Sequence, residues 1–146
     1  RGEYLKKLSR EHHHGILLAW KIKTGFSKKI PAERIKKYTD WFYSAHLKPH
    51  FQEEEKYVFP ILGNDNILIQ KAVQEHQQLA QLFNETDNLE MALKQIAIDL
   101  VNHIRFEERI LFNQIQAKAT PEEITMIEAL QTSESFIDNT TDPFWN

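Results

Sequence analysis

Cysteine is absent from this chain of 146 residues, which excludes disulfides, thiolate metal ligands, iron–sulfur clusters and a cysteine nucleophile within it. Glycine and proline are scarce, with four and five copies, and this scarcity favours long helices over strands joined by tight turns. No apolar run approaches the roughly 18 residues of a membrane span. The formal net charge is only −3, so no basic surface for nucleic acid or an anionic membrane is expected. The composition predicts a soluble protein, with the cytoplasm as its expected location.

Proline positions, capping residues and apolar spacing predict five helices. Four are long, and they cover roughly residues 3–24, 31–59, 67–83 and 89–116. Pro49 lies inside the second helix and is expected to bend it just before His50. A shorter fifth helix should begin at Thr120, with Pro121 in its first turn and Glu123 completing a capping box.

Short connections between long helices favour antiparallel neighbours. The predicted fold is therefore all-α, an up-down-up-down four-helix bundle over about residues 3–116, followed by the short additional helix and an irregular tail over residues 120–146. We expect residues 1–146 to form a single domain, because 17.3 kDa is enough to bury one core. The aromatic end of the tail, Phe144 and Trp145, should dock on the bundle or contact a partner.

One phrase of the sequence occurs twice. Residues 50–59 and residues 103–112 both read His-x3-Glu-Glu-x3-Phe, and a Glu-His pair precedes each copy at residues 11–12 and 75–76. Residues four apart lie on one face of a helix, so each His-x3-Glu directs an imidazole and a carboxylate toward the same point. Six side chains from four helices are thereby predicted to form a two-metal site: His12, His50, Glu54, His76, His103 and Glu107.

The register of the apolar residues supports a buried site. In each of the four helices, alternating steps of three and four residues trace an apolar stripe with a histidine in its middle. The stripe of the fourth helix reads Leu93, Ile96, Leu100, His103, Glu107 and Ile110. Burying unpaired carboxylates and imidazoles is costly. Coordinated cations would offset the carboxylate charge and satisfy the imidazole lone pairs.

Three further histidines leave alternatives open. His13 and His14 adjoin His12, and only one of the three need be a ligand; the more apolar stripe around His12 favours that residue. His46 lies one turn before His50, at the edge of the buried stripe. It could supply an extra ligand, although a supporting or surface position suits it better. Gly15 leaves space close to the metals for a small ligand.

Four more glutamates adjoin the predicted ligands: Glu11, Glu55, Glu75 and Glu108. The simplest interpretation of Glu55 and Glu108 is that water solvates them, while Glu11 and Glu75 would serve either solubility or the orientation of a ring. The repetition of Glu55 and Glu108 in both halves would instead suit hydrogen bonds that orient the imidazole rings.

With these motifs the chain resembles the hemerythrin-like (HHE cation-binding) domain family, over about residues 3–116. The resemblance rests on residues 8–12, residues 50–60, residues 75–79 and residues 103–112. It implies a bundle that holds two non-haem iron ions, with Glu54 and Glu107 as bridging ligands and the four histidines as terminal ligands. The same donors would also accept other divalent metals.

The chain departs from the oxygen-carrying members of that family. Those proteins have a fifth histidine on the third helix, one turn from another, whereas Ala72 and Ala80 stand one turn either side of His76 here. The six-residue set is closer to bacterial hemerythrin-like domains and to di-iron proteins implicated in iron–sulfur cluster repair. The repair proteins also carry a cysteine-containing segment, and cysteine is absent here. Simple reversible oxygen carriage is therefore disfavoured.

Three uses of such a centre stay open at the level of the sequence. The leading expectation is a di-iron protein that binds a small diatomic or peroxide ligand (oxygen, peroxide or nitric oxide) for sensing, storage or scavenging. The alternative is a di-iron oxidoreductase that reduces peroxide or nitric oxide, or has a role like that of the repair proteins. The third is a metal-responsive interaction domain whose tail contacts a partner. No catalytic side chain, organic cofactor, electron donor or protein partner is identified by the sequence.

Overall fold

The computed structural model describes residues 2–131 and 135–146, and within them all regular structure is helical. The α-helices are α1 (Glu3–Ser27), α2 (Ala32–Phe42), α3 (Lys48–Glu53), α4 (Ile67–Phe83), α5 (Leu89–Phe106), α6 (Phe112–Lys118) and α7 (Pro121–Leu130). Short π-helical turns join α2 to α3 (Tyr43–Leu47) and α5 to α6 (Glu107–Leu111). A third π-helical turn (Glu54–Val58) follows α3 and runs into a 3-10 turn (Phe59–Ile61). The all-α prediction is confirmed, while the up-down-up-down order and the single-domain boundaries stay predictions.

The helix starts follow from local sequence. The side chain of Asn66 caps α4 by accepting a hydrogen bond from the Leu68 backbone N–H at 2.8 Å. At α7, Thr120 accepts from the Glu123 N–H at 3.1 Å while the Glu123 carboxylate accepts from the Thr120 N–H at 2.9 Å. This reciprocal pair is the predicted capping box.

The first helix extends further than its glycine suggests. α1 passes through Gly25 and ends at Ser27, instead of ending near Thr24. A Cβ atom at Gly25 would lie 2.8 Å from Phe144 and 2.9 Å from Ile35. The glycine therefore permits close packing inside a helix, and it does not mark the end of one.

The three π-helical turns change the register of the buried face. In each turn the backbone N–H donates to the carbonyl five residues earlier, as Phe112 does to Glu107. One extra residue per turn moves the buried face forward by one position. Ile110, predicted to be buried, is 48% exposed, whereas Leu111 and Phe112 are fully buried. The prediction for Ile110 is wrong because it assumed regular α-helical spacing.

Two apolar clusters occupy the core, one on each side of the predicted ligands. The first includes Leu79, which follows His76 by about one turn, and Leu100, which precedes His103 by about one turn. Leu18, six residues after His12, belongs to the same cluster. The second includes Leu8 and Ala72, which precede His12 and His76 by one turn. The polar side chains are thus held in the middle of the bundle, between two water-excluding layers.

The C-terminal tail packs against α1 and α2. Asp138 accepts hydrogen bonds from Lys21 at 2.6 Å and from the Tyr38 hydroxyl at 2.5 Å. Phe144 is only 2% exposed, so the aromatic end of the tail is docked on the chain itself. Among the described residues, no helix is both long enough and apolar enough to cross a membrane.

Candidate metal centre

The structure brings the six predicted ligand residues together. Each is at most 5% exposed, and the two glutamates are fully buried. They form two groups, and within each group one atom from every residue lies within 4.8 Å of the others. His12 and His50 belong to the first group, His76 and His103 to the second, and Glu54 and Glu107 to both.

Glu54 presents a different oxygen to each group. Its Oε2 atom lies 3.4 Å from Nε2 of His50 and 3.8 Å from Nε2 of His12. Its Oε1 atom lies 3.2 Å from Nε2 of His76. The carboxylate therefore spans the two groups, as a bridging ligand would.

Glu107 has the complementary arrangement. Its Oε1 atom lies 2.8 Å from Nε2 of His12, and its Oε2 atom lies 3.5 Å from Nε2 of His103 and 3.8 Å from Nε2 of His76. Each group thus contains two imidazole nitrogens and one oxygen from each glutamate.

The donor atoms at the centre are buried without hydrogen bonds. No hydrogen-bond partner within residues 2–131 and 135–146 serves the four Nε2 atoms or the four carboxylate oxygens. Each buried unsatisfied group costs about 1–3 kcal/mol, and more when charged. Several of these atoms approach within 4 Å of each other without hydrogen-bond geometry, because they face a common point. Imidazole and carboxylate donors in this arrangement suit iron and other divalent metals.

The other nitrogen of each ring binds a carboxylate. The Nδ1 distances are 3.2 Å from His12 to Glu108, 3.0 Å from His50 to Glu11, 2.6 Å from His76 to Glu55 and 2.8 Å from His103 to Glu75. Because an ionised carboxylate only accepts, Nδ1 carries the proton and donates it, which leaves the Nε2 lone pair directed at the centre. All four adjoining glutamates thus bind rings of the predicted ligands, and the interpretation of Glu55 and Glu108 as simply solvated is wrong.

Two of these outer bonds are equivalent in the two halves of the chain. The glutamate before His12 binds His50, and the glutamate before His76 binds His103. Lys7 lies 3.5 Å from Glu11, and Lys71 forms the equivalent ion pair with Glu75. The sequence repeat therefore extends to the residues that position the rings.

In the absence of a metal, the carboxylates of the site favour the protonated form of His50 and His103. Burial opposes the charged form of His50, but Glu54 and Glu11 outweigh it and raise its pKa to about 10. Burial likewise opposes the charged form of His103, but Glu107 and Glu75 raise its pKa to about 9. Burial would raise the pKa of Glu107, whereas the His103 and His12 rings lower it well below its usual range. A metal cation would take the place of the Nε2 protons, so we expect metal uptake to release protons.

The remaining histidines lie outside both groups. His13 is exposed, which agrees with the preference for His12. His14 stacks on Phe136 at 3.9 Å between ring centroids, and His46 lies 4.5 Å from the same ring. Neither His13 nor His46 is brought into position as an additional ligand.

Sequence reasoning missed the aromatic rings that hold the histidines in place. Phe51 stacks on His76 at 3.8 Å with an interplanar angle of 12°, and Phe59 lies 5.5 Å from the same imidazole. Phe112 stacks on His12 at 5.4 Å. The repeated phenylalanine that ends both copies of the phrase was the available signal for Phe59 and Phe112, whereas nothing repeated pointed to Phe51.

Comparison with known proteins gives one match. The family model described as Hemerythrin HHE cation binding domain matches residues 3–115, a range that contains all six predicted ligands. Searches of curated proteins and of solved structures found no match.

Proposed function

The chain belongs to the hemerythrin HHE cation-binding family, and from this premise we propose that it is a non-haem di-iron protein that binds a small ligand such as oxygen, peroxide or nitric oxide. The observation that carries the proposal is the set of eight buried donor atoms without hydrogen bonds, divided into two groups that share Glu54 and Glu107. The up-down-up-down order of the bundle and a cytoplasmic location are part of the same proposal.

In this proposal His12 and His50 hold one iron, and His76 and His103 hold the other. Glu54 and Glu107 would contribute to both sites, because each offers a different oxygen to each group. When bound, the iron ions supply electrons and open coordination positions for a small ligand.

The protein itself contributes orientation, charge and exclusion of water. The four outer glutamates keep a proton on Nδ1 of each histidine, which holds each Nε2 lone pair toward the centre. Two central carboxylates offset part of the charge of two divalent cations. The apolar layers before and after the donor residues shield the site along the helices, which limits the routes by which water reaches a bound small ligand.

Metal content per chain tests this function, together with visible spectra recorded without oxygen and after oxygen or nitric oxide is added. We expect two irons per chain and a new charge-transfer band on ligand addition. His12→Ala should remove about one iron, while the matched change His13→Ala at the exposed neighbour should leave the content unchanged. Folded protein that takes up no iron would refute the proposal, and a larger loss in the His13 variant would refute the assignment on α1.

One observation favours the oxidoreductase as a second candidate. A cavity of about 750 Å³ reaches His12 and His50 from outside, and this volume far exceeds what a diatomic molecule needs. Sustained consumption of peroxide or nitric oxide with an added reductant would support the enzyme. Stoichiometric binding and release without turnover would support the binding protein.

A further inference from the structure

The cavity lies where the two halves of the repeat carry different residues at equivalent positions. His12 corresponds to His76 and His50 to His103, so Gly15 corresponds to Leu79 and Ile104 to Phe51. Gly15 and Ile104 both line the cavity. A glycine and an aliphatic chain thus stand where the other half has a leucine and a phenylalanine. A Cβ atom at Gly15 would lie 2.8 Å from Cδ1 of Ile104, so Ile104 packs against the glycine, and the two residues together border the cavity beside His12 and His50.

The outer wall of the cavity is built of flat rings. His14, His46 and Phe136 all line it. The His14 and Phe136 rings stack with an interplanar angle of 14°, and Phe42 lies 6.2 Å from Phe136. His14 makes no hydrogen bond to any residue that the structure describes, so its imidazole nitrogens are available. Since the His14 and Phe136 rings stack on each other, each leaves its edge and one face for a ligand, and such ring surfaces favour a planar aromatic ring over an aliphatic one.

The charged side chains at the rim of the cavity differ in the ion pairs that they form. Lys7 is shared between Glu53 at 3.2 Å and Glu11 at 3.5 Å, and Glu11 also accepts from His50. Arg10 lines the cavity and is exposed, and within residues 2–131 and 135–146 it forms no hydrogen bond or close ion pair. Arginine is the residue best suited to bind a carboxylate, because its guanidinium group donates two parallel hydrogen bonds.

Arg10 and His14 are four residues apart on α1, so both side chains lie on the same face, one turn apart. One turn of helix is about 5.4 Å, so the two side chains leave the helix close to each other. From these observations we propose that the cavity binds a small aromatic carboxylate, with its ring against His14 and Phe136 and its carboxylate on Arg10. This organic-ligand site lies beside the iron centre and is additional to the proposed small-ligand function.

Calorimetric titration with benzoate tests the site. Cyclohexanecarboxylate, which has the charge without the flat ring, and benzamide, which has the ring without the charge, serve as comparison ligands. We expect benzoate to bind with at least tenfold higher affinity than either. The Arg10→Ala change should weaken benzoate binding at least tenfold, since it removes a charge-assisted pair, and His14→Ala should weaken it severalfold.

The repeat supplies matched control variants. Gln74 and Gln78 on α4 stand where Arg10 and His14 stand on α1, so Gln74→Ala and Gln78→Ala should leave benzoate binding unchanged. Ala45→Phe should reduce it by filling the cavity, because Ala45 lines the space and belongs to neither metal group. Circular dichroism and metal content, measured for every variant, separate loss of the site from loss of the fold.

The titration is carried out on iron-loaded and on metal-depleted protein, so that this inference and the proposed function can fail separately. Arg10-dependent benzoate binding in a protein that takes up no iron would support the cavity site and refute the di-iron function. Benzoate binding that requires iron and is unaffected by Arg10→Ala and Ala45→Phe would show direct coordination to the metal and overturn this inference. Absence of binding at millimolar benzoate, or equal binding of cyclohexanecarboxylate, would also overturn it.

Discussion

The two halves of the candidate metal centre use the same donors but differ in what covers them. In the second half the His76 ring stacks on Phe51 at 3.8 Å, and His103 meets the edge of the same phenylalanine at 5.7 Å. In the first half, His12 and His50 line a cavity of about 750 Å³. A duplicated motif can therefore reproduce the donors of a candidate metal site while the neighbouring residues make access to its two donor groups unequal. We expect external molecules to reach the centre from the His12 and His50 side.

The largest effect on metal binding is expected from replacing a glutamate that both donor groups share. Glu54→Ala or Glu107→Ala should abolish binding of at least one metal, because each carboxylate serves both groups. Elemental analysis of the purified variants measures this effect. Glu53→Ala, at the half-buried neighbour of Glu54, is the control and should keep full occupancy. If the Glu54 or the Glu107 variant still bound two metals per chain, a bridging role for that glutamate would be excluded.

The next largest effect is expected from removing Phe51, the ring that covers His76 and His103. Phe51→Ala deletes a buried ring and is expected to lower the free energy of unfolding by about 3–5 kcal/mol. Ile104→Ala, the equivalent change in the first half, should lie near the low end of the range for aliphatic truncations, about 2 kcal/mol, because Ile104 already borders open space. Denaturant unfolding of both variants measures the difference. A larger loss at Ile104 would contradict the packing contrast between the halves.

The outer carboxylates should have equal effects in the two halves. Glu11→Gln and Glu75→Gln each remove the charge that holds a ligand ring, and a loss of about 10- to 100-fold in metal affinity is typical of such positions. Competition with a chelator measures the affinity. The two losses should agree closely, because both glutamates bind an Nδ1 atom and pair with a lysine one turn earlier. A difference of tenfold between them would show that the symmetry of these bonds is not functional.

The smallest effect concerns the tail, which packs on the first half. Burial opposes ionisation of Asp138, but hydrogen bonds from Lys21 and Tyr38 outweigh it and lower the pKa of this carboxyl. A carboxyl whose pKa is lower in the folded state stabilises that state at pH values above its unfolded pKa, which is about 3.9. This contribution is lost as the pH falls from there through the folded pKa. Proteolysis of the tail, measured from pH 6 downward, should stay constant to about pH 4 and accelerate below it in the native protein, whereas Asp138→Asn should be cleaved faster already at pH 6.

Local features of the sequence predicted much of the fold. The Thr120 capping box and the start of α7 at Pro121 appear where expected, since capping depends on residues three or four positions apart. The convergence of the six ligand residues also followed from spacing, because four-residue steps on a helix share a face. Whether those residues bind metal stays a prediction until metal content is measured.

Other features could not be read from spacing. Ile110 lies outside the core because a π-helical turn inserts one more residue, and π-helical turns carry no clear sequence signal. α1 continues through Gly25 because Phe144, 119 positions away in the chain, packs against that glycine. Spacing along one helix also does not reveal that Glu11 serves His50 on another element.

The sequence by itself thus determined the donor set, the two-fold pairing of its motifs and the helical class. It did so because helical periodicity relates nearby residues directly to a shared face. Only the tertiary structure decided which carboxylate holds which imidazole, which group of the centre is covered by Phe51 and which group faces a cavity. Those outcomes depend on packing between segments far apart in the chain, where side-chain shape and close contact, not periodicity, determine what fits.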